Sequence, residues 1–139
     1  MAKITPYFLF NGNCREAMEF YGKIFKAEPI FETFSEVKSE NDPALTDETK
    51  NLISHGELKI GGETIMFADV PPAYNYNFGN NIVTAFRSSS LEDIKEVFSQ
   101  LEDGGNATKN LKKTPWSECY GSVTDKFGLS WNLNYDTTL

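Results

Sequence analysis

The stretch Trp116-Ser-Glu-Cys-Tyr120-Gly121-Ser-Val-Thr-Asp125-Lys-Phe127-Gly128-Leu-Ser-Trp131-Asn132-Leu133 decides the fold. It predicts a strand, a tight turn over Asp125 to Gly128, and a second strand. Glycine at 128 suits the positive φ that such turns often need. Beyond the turn, Leu129, Trp131 and Leu133 alternate with Ser130, Asn132 and Asn134. One face of that strand is therefore apolar and the other polar.

The hairpin closes a pattern that occurs twice. In the first half, Ile4 to Phe10 predicts a strand, and Asn11-Gly12-Asn13 breaks it. Asn13 is placed as a helix N-cap, with Glu16 in capping-box position. The helix should run to about Lys26. Cys14, Ala17, Met18, Tyr21 and Phe25 recur at helical spacing, and Phe20 and Ile24 widen the stripe. Pro29 to Val37 predicts a strand, and the polar Lys38 to Lys50 segment, containing Pro43, predicts a mobile loop. Asn51 to Ile60 and Glu63 to Val70 predict a hairpin through Gly61-Gly62. Ala73 to Gly79, with Tyr74, Tyr76 and Phe78, connects the halves. The order then restarts with a strand over Asn81 to Arg87 and a capping signal at Ser90 and Asp93. A helix follows with Leu91, Ile94, Val97, Phe98 and Leu101 on one face, ended by Gly104-Gly105. Three strands come last, near 106–113, 116–124 and 129–135. Each half thus reads βαβββ. The expected organisation is one domain over 1–139, with module one at about 1–72 and module two at about 80–139.

Bulk properties exclude several classes. A chain of 139 residues with 40% hydrophobic content can bury an ordinary core. Its net charge of −7 disfavours nucleic acid and anionic membrane surfaces as partners. No apolar run approaches the roughly 20 residues of a membrane helix, and a cytoplasmic location is expected. Cys14 and Cys119 are isolated thiols rather than a disulfide framework. His55 is the only histidine, so a site needing two histidines from one chain is excluded.

The ordered set of local motifs resembles the vicinal-oxygen-chelate superfamily of glyoxalase I, bleomycin-resistance proteins and extradiol dioxygenases, and most closely its PhnB-like branch. The residues that carry the likeness begin with Pro6-Tyr7-Phe8, Asn11-Gly12-Asn13, Glu16-Ala17 and Phe20-Tyr21. They continue through His55-Gly-Glu57-Leu58-Lys-Ile60-Gly61-Gly62, Met66 and Asp69. Trp116, Tyr120-Gly121, Asp125, Phe127-Gly128 and Trp131 complete them. The resemblance implies an α+β fold of two βαβββ modules, forming a curved mixed sheet around a cavity with helices outside, and a homodimer. Some members of the branch carry a methyltransferase name. No glycine-rich strand-to-helix loop supports a nucleotide-like cofactor here, and no cofactor is expected.

Enzymes of the resembled superfamily hold a divalent metal with His, Gln or Glu from the first and last strand of each module. The matching positions here are Thr5 (or Tyr7 on the same face), Met66, Asn81 and Asn132, which make a poor metal site. The expectation is a metal-free protein that binds a small molecule, in the manner of the bleomycin-binding relatives. His55 and Glu57 share a strand face with Ile53 and Lys59, and they point inward if the helix covers Leu58 and Ile60. Trp116 and Tyr120 share a face and suit a flat or apolar ligand. The expected ligand contacts are His55, Glu57, Trp116, Tyr120 and Asn132. The rival expectation is an enzyme of lyase, isomerase or dioxygenase type, with a shifted metal site or with His55 and Glu57 in acid/base chemistry.

Overall fold

The computed structural model describes residues 1–40 and 44–139. The chain divides into two compact units, Met1–Asn77 and Phe78–Leu139. The first contains β1 (Tyr7–Phe10), α1 (Cys14–Phe25), β2 (Ile30–Thr33), the single turn α2 (Phe34–Val37), β3 (Ile53–Ile60) and β4 (Glu63–Asp69). The second contains β5 (Val83–Ser88), α3 (Leu91–Glu102), β6 (Asn106–Thr114), β7 (Ser117–Thr124) and β8 (Ser130–Tyr135). Each unit folds its strands into a four-stranded mixed sheet, in the orders β1-β4-β3-β2 and β5-β8-β7-β6. First and last strands pair in parallel, with Tyr7 beside Met66 and Ala85 beside Asn132. The repeat read from the sequence is therefore present, as two separate sheets.

Period-2 alternation gives each sheet one face for its helix. In the first unit, Leu58, Ile65 and Phe67 are buried with Cys14, Ala17, Met18, Tyr21 and Ile24 of α1. Tyr21 stacks on Phe67 at 6.0 Å between ring centroids. In the second, Ile94, Val97, Phe98 and Leu101 of α3 are buried with Cys119, Val123, Trp131 and Leu133. Leu91, expected on that apolar face, is 39% exposed because it occupies the first helical position at the rim.

Two turns follow from glycine. Gly61 and Gly62 both have positive φ, 58° and 84°, and join β3 to β4. Gly128 has φ 90°, and a Cβ there would sit 2.8 Å from Cζ of Phe78. Gly128→Val therefore strains the backbone and displaces Phe78, and a loss of about 2 kcal/mol is expected. An unchanged thermal midpoint would refute this.

Several local expectations are corrected. The strand predicted to reach Val37 stops at Thr33, whose Oγ1 accepts the Glu36 N–H at 3.3 Å and starts α2. The Asn13 side chain makes no capping bond. Instead Asp69 Oδ1 accepts the N–H groups of Gly12 and Cys14, at 2.9 and 3.0 Å. A charged acceptor from a neighbouring strand has displaced the local cap. At α3 the serine reading holds: Ser90 Oγ accepts from Asp93 N, while Ser88 Oγ takes the Ser90 N–H. The loop predicted over Lys38 to Lys50 falls partly on 41–43, outside the described residues. Its later part is a hydrogen-bonded turn, with Lys50 N donating to Thr46 O at 3.0 Å.

Candidate functional site

In each unit the helix covers one face of the sheet and leaves the other without a helix. On that open face of the first sheet, register sets Tyr7 of β1, Met66 of β4, Glu57 of β3 and Ile30 of β2 in one row. His55 lies opposite Glu32. Tyr7 Oη and His55 Nδ1 are 2.9 Å apart, and His55 Nε2 lies 3.0 Å from Glu57 Oε2. A phenol from β1 and an imidazole and a carboxylate from β3 thus form one hydrogen-bonded chain over the intervening β4. The His55 and Glu57 side chains are 32% and 40% exposed, so their pairing contributes little to stability. Burial, followed by the charges of Cys14 and Glu57, holds the Tyr7 hydroxyl above its usual pKa, so the phenol stays protonated. Ile53, expected on the same face, is fully buried. The register slips between Glu32 and Thr33, and this bulge re-aims the start of β3.

The second unit brings together other predicted residues. Trp116 lies in the β6–β7 turn rather than in β7, and meets Tyr120 edge to face at 5.4 Å. An open groove of about 340 Å³ runs beside them, lined also by Lys109, Lys112 and Lys113. Asn132 lies between Ala85 and Ser122, and its Oδ1 accepts from Ser122 Oγ at 3.0 Å. Two residues on, Asn134 pairs with Tyr120, and its Oδ1 is buried without a hydrogen-bond partner among the described residues. Tyr76, in the connecting segment, donates to the Leu9 carbonyl at 3.3 Å, while Tyr74 is exposed. Cys14 and Cys119 are buried free thiols. Cys14 lies buried on the apolar stripe of α1, and burial, then the Asp69 charge, pushes its thiol above the ordinary pKa.

The positions matched to metal ligands do not fit a divalent cation. Thr5 precedes β1, and Asn81 is exposed ahead of β5 rather than within it. Met66 offers a thioether, and the Asn132 oxygen is already engaged by Ser122. This donor set contains no anion and no imidazole. Among the described residues, no group of three or more His, Cys, Asp or Glu is placed to hold a metal ion. Nor is any described helix long and apolar enough to cross a membrane.

Two mixed sheets, each built from a βαβββ module, define a protein of the glyoxalase/bleomycin-resistance fold. A family member of that superfamily from Burkholderia phytofirmans superposes with a TM-score of 0.63 over 92% of this chain and 93% of its own, at 14% identity. Within this fold the chain belongs to the PhnB-like family described as 3-demethylubiquinone-9 3-methyltransferase, whose model matches residues 2–134. PA1353 from Pseudomonas aeruginosa is 30% identical, with a TM-score of 0.84 over 96% of this chain and 97% of that one. A putative 3-demethylubiquinone-9 3-methyltransferase, PhnB protein, from Bacillus cereus is 27% identical, with a TM-score of 0.76 over 96% and 98%. YjdN of Escherichia coli is 29% identical over 138 residues, 94% of this chain and 93% of its own.

The family description names a methyltransferase. Binding a nucleotide-like donor at a strand-to-helix turn needs glycines and free N–H groups there. The β1–α1 connection has one glycine, Gly12, and Asp69 already takes the N–H groups of Gly12 and Cys14. The β5–α3 connection is Ser89-Ser90, without glycine. Neither connection fits such a donor.

Tyr7 is the member of the chain whose role the sequence reading missed. In the sequence, position 7 stands out as part of the family likeness and as an alternative metal position, not as a partner of His55. Its contact with His55 depends on the parallel register of β1 and β4, which places residues distant in sequence side by side.

Proposed function

We propose that this protein binds a small organic molecule without a divalent metal, as a cytoplasmic homodimer. The proposed contacts on the first sheet are His55 and Glu57; on the second sheet, taken by itself, Trp116, Tyr120 and Asn132 are the proposed contacts. One observation carries the reading: the Tyr7–His55–Glu57 chain lies on the helix-free face of its sheet, half-exposed, where it contributes little to folding. Polar groups ordered against one another and open to solvent suit ligand recognition. The Trp116–Tyr120 pair adds an aromatic surface, and the buried Asn134 oxygen, unpaired among the described residues, adds an acceptor on the same sheet face. Reduced thiols at Cys14 and Cys119 accord with the proposed compartment.

The alternative is acid/base catalysis by His55, favoured by the carboxylate of Glu57 at 3.0 Å, which orients the ring. Native mass spectrometry of untagged protein tests the binding reading. A dimer mass without stoichiometric metal is expected, together with a retained organic mass. His55→Ala should weaken retention about tenfold, while stability changes by less than about 1 kcal/mol. Stoichiometric divalent metal held through His55 or Glu57 would overturn the reading. Equal losses of binding and stability would return His55 to a structural role.

A further inference from the structure

The hydrogen-bonded chain has a direction, and that direction selects a ligand chemistry. Glu57 as a carboxylate has no proton to give, so the proton in the 3.0 Å contact belongs to His55 Nε2. A neutral imidazole carries one N–H. Its Nδ1 is then a lone pair, and Tyr7 Oη at 2.9 Å must donate to it. With its proton committed to the ring, the phenol oxygen has only lone pairs left for anything else. Tyr7 is 46% exposed on the helix-free face of its sheet.

The surroundings reinforce this polarity. Glu32 faces His55 across the β2–β3 ladder, and the row beside it holds Glu57 and Met66. Lys59, two residues along β3 from Glu57, is the cation on that strand face. Leu9 and Ile30 supply exposed apolar surface beside these groups.

We infer that His55 is locked as its Nε2–H tautomer by Glu57, so that the Tyr7 oxygen acts as a hydrogen-bond acceptor selecting ligands with an N–H or O–H donor, a primary ammonium above all. This rests on the reading of the open face as a ligand site. A ligand carboxylate at the same point would meet a lone pair beside a second carboxylate and be repelled. Tyr7 is thus a specificity-determining residue, with His55 and Glu57 positioning its proton.

The single histidine permits a direct test. In untagged protein labelled with ¹⁵N-histidine, the imidazole nitrogen shifts at pH 8 report one ring only. A protonated Nε2 and an unprotonated Nδ1 are expected, with the preference weakened in Glu57→Gln. Benzylamine and benzoate then serve as probes, titrated against the His55 signals. Benzylamine should bind about tenfold more tightly than benzoate, and that ratio should fall by about threefold in Tyr7→Phe, which keeps the ring and the neighbouring carboxylates. An Nδ1–H tautomer, an imidazolium at pH 8, or a ratio unchanged by Tyr7→Phe would overturn the inference and leave the binding site standing. A His55 signal that moves with neither probe would overturn the inference and the site together.

Discussion

Asp69→Ala is expected to remove about 3–5 kcal/mol of folding stability, measured by denaturant titration. The side chain is 4% exposed and serves three backbone donors. Oδ1 takes Gly12 N and Cys14 N, and Oδ2 takes Ile53 N at 3.0 Å. The end of β4 is thereby tied to the β1–α1 connection and to the start of β3. Alanine leaves these N–H groups without their acceptor, and each unmet buried donor costs about 1–3 kcal/mol. Asp69→Asn should lose roughly half as much, because the amide keeps one accepting oxygen while its NH₂ meets an N–H. Asn13→Ala, in contrast, should cost less than about 0.5 kcal/mol, since that side chain caps nothing. The reverse order of costs would restore Asn13 as the cap.

The second large effect is expected at Asp125, 3% exposed in the turn between β7 and β8. Its Oδ1 accepts from Phe127 N at 2.9 Å and Leu129 N at 3.1 Å, and its Oδ2 accepts from the Trp131 indole Nε1 at 2.8 Å. Asp125→Ala should cost about 3 kcal/mol, since it loosens the turn and strands a buried indole N–H. Trp131→Phe removes the indole bond but leaves both turn bonds, and so should cost less. Fluorescence gives a second readout. In a Trp116→Phe background, emission comes from Trp131 alone, which is 2% exposed. Asp125→Ala should shift that emission to the red on mild heating, well before the parent protein. Equal midpoints for the two proteins would show that the carboxylate does not hold this turn.

Much of this architecture was legible in the sequence because its signals are local. Asp125 to Gly128, Gly61-Gly62, Ser90 with Asp93, and the helical spacing of Cys14 through Ile24 each act within a few residues. Fragments of that size carry their own turn chemistry and periodicity. What was misread depends on partners brought in by the sheet. Asn13 has a good capping side chain, yet the competing carboxylate of Asp69 arrives from another strand. Ile53 fits the alternation of His55 and Glu57 until a bulge intervenes. The same limit applies to the candidate site. Spacing alone placed His55 and Glu57 on one face. Tyr7 joined them only once the parallel register was known, and register follows from packing rather than from local pattern.

The parallel pairing of the first and last strands of each unit also bears on how the chain is made. Tyr7 pairs with Met66, and among the described residues β1 has no other neighbour in its sheet. Within its unit β1 is made before the other strands, and it therefore has no backbone partner until almost the whole of that unit has been synthesised. Contacts so distant along the chain close late and slow the search for the native state. Because Asp69 ends β4, its carboxylate arrives with the strand that β1 awaits, and the unit is sealed as that strand docks. A ribosome stalled before residue 69 should carry an open, protease-sensitive chain, and one stalled with Asn77 clear of the exit tunnel a protected one.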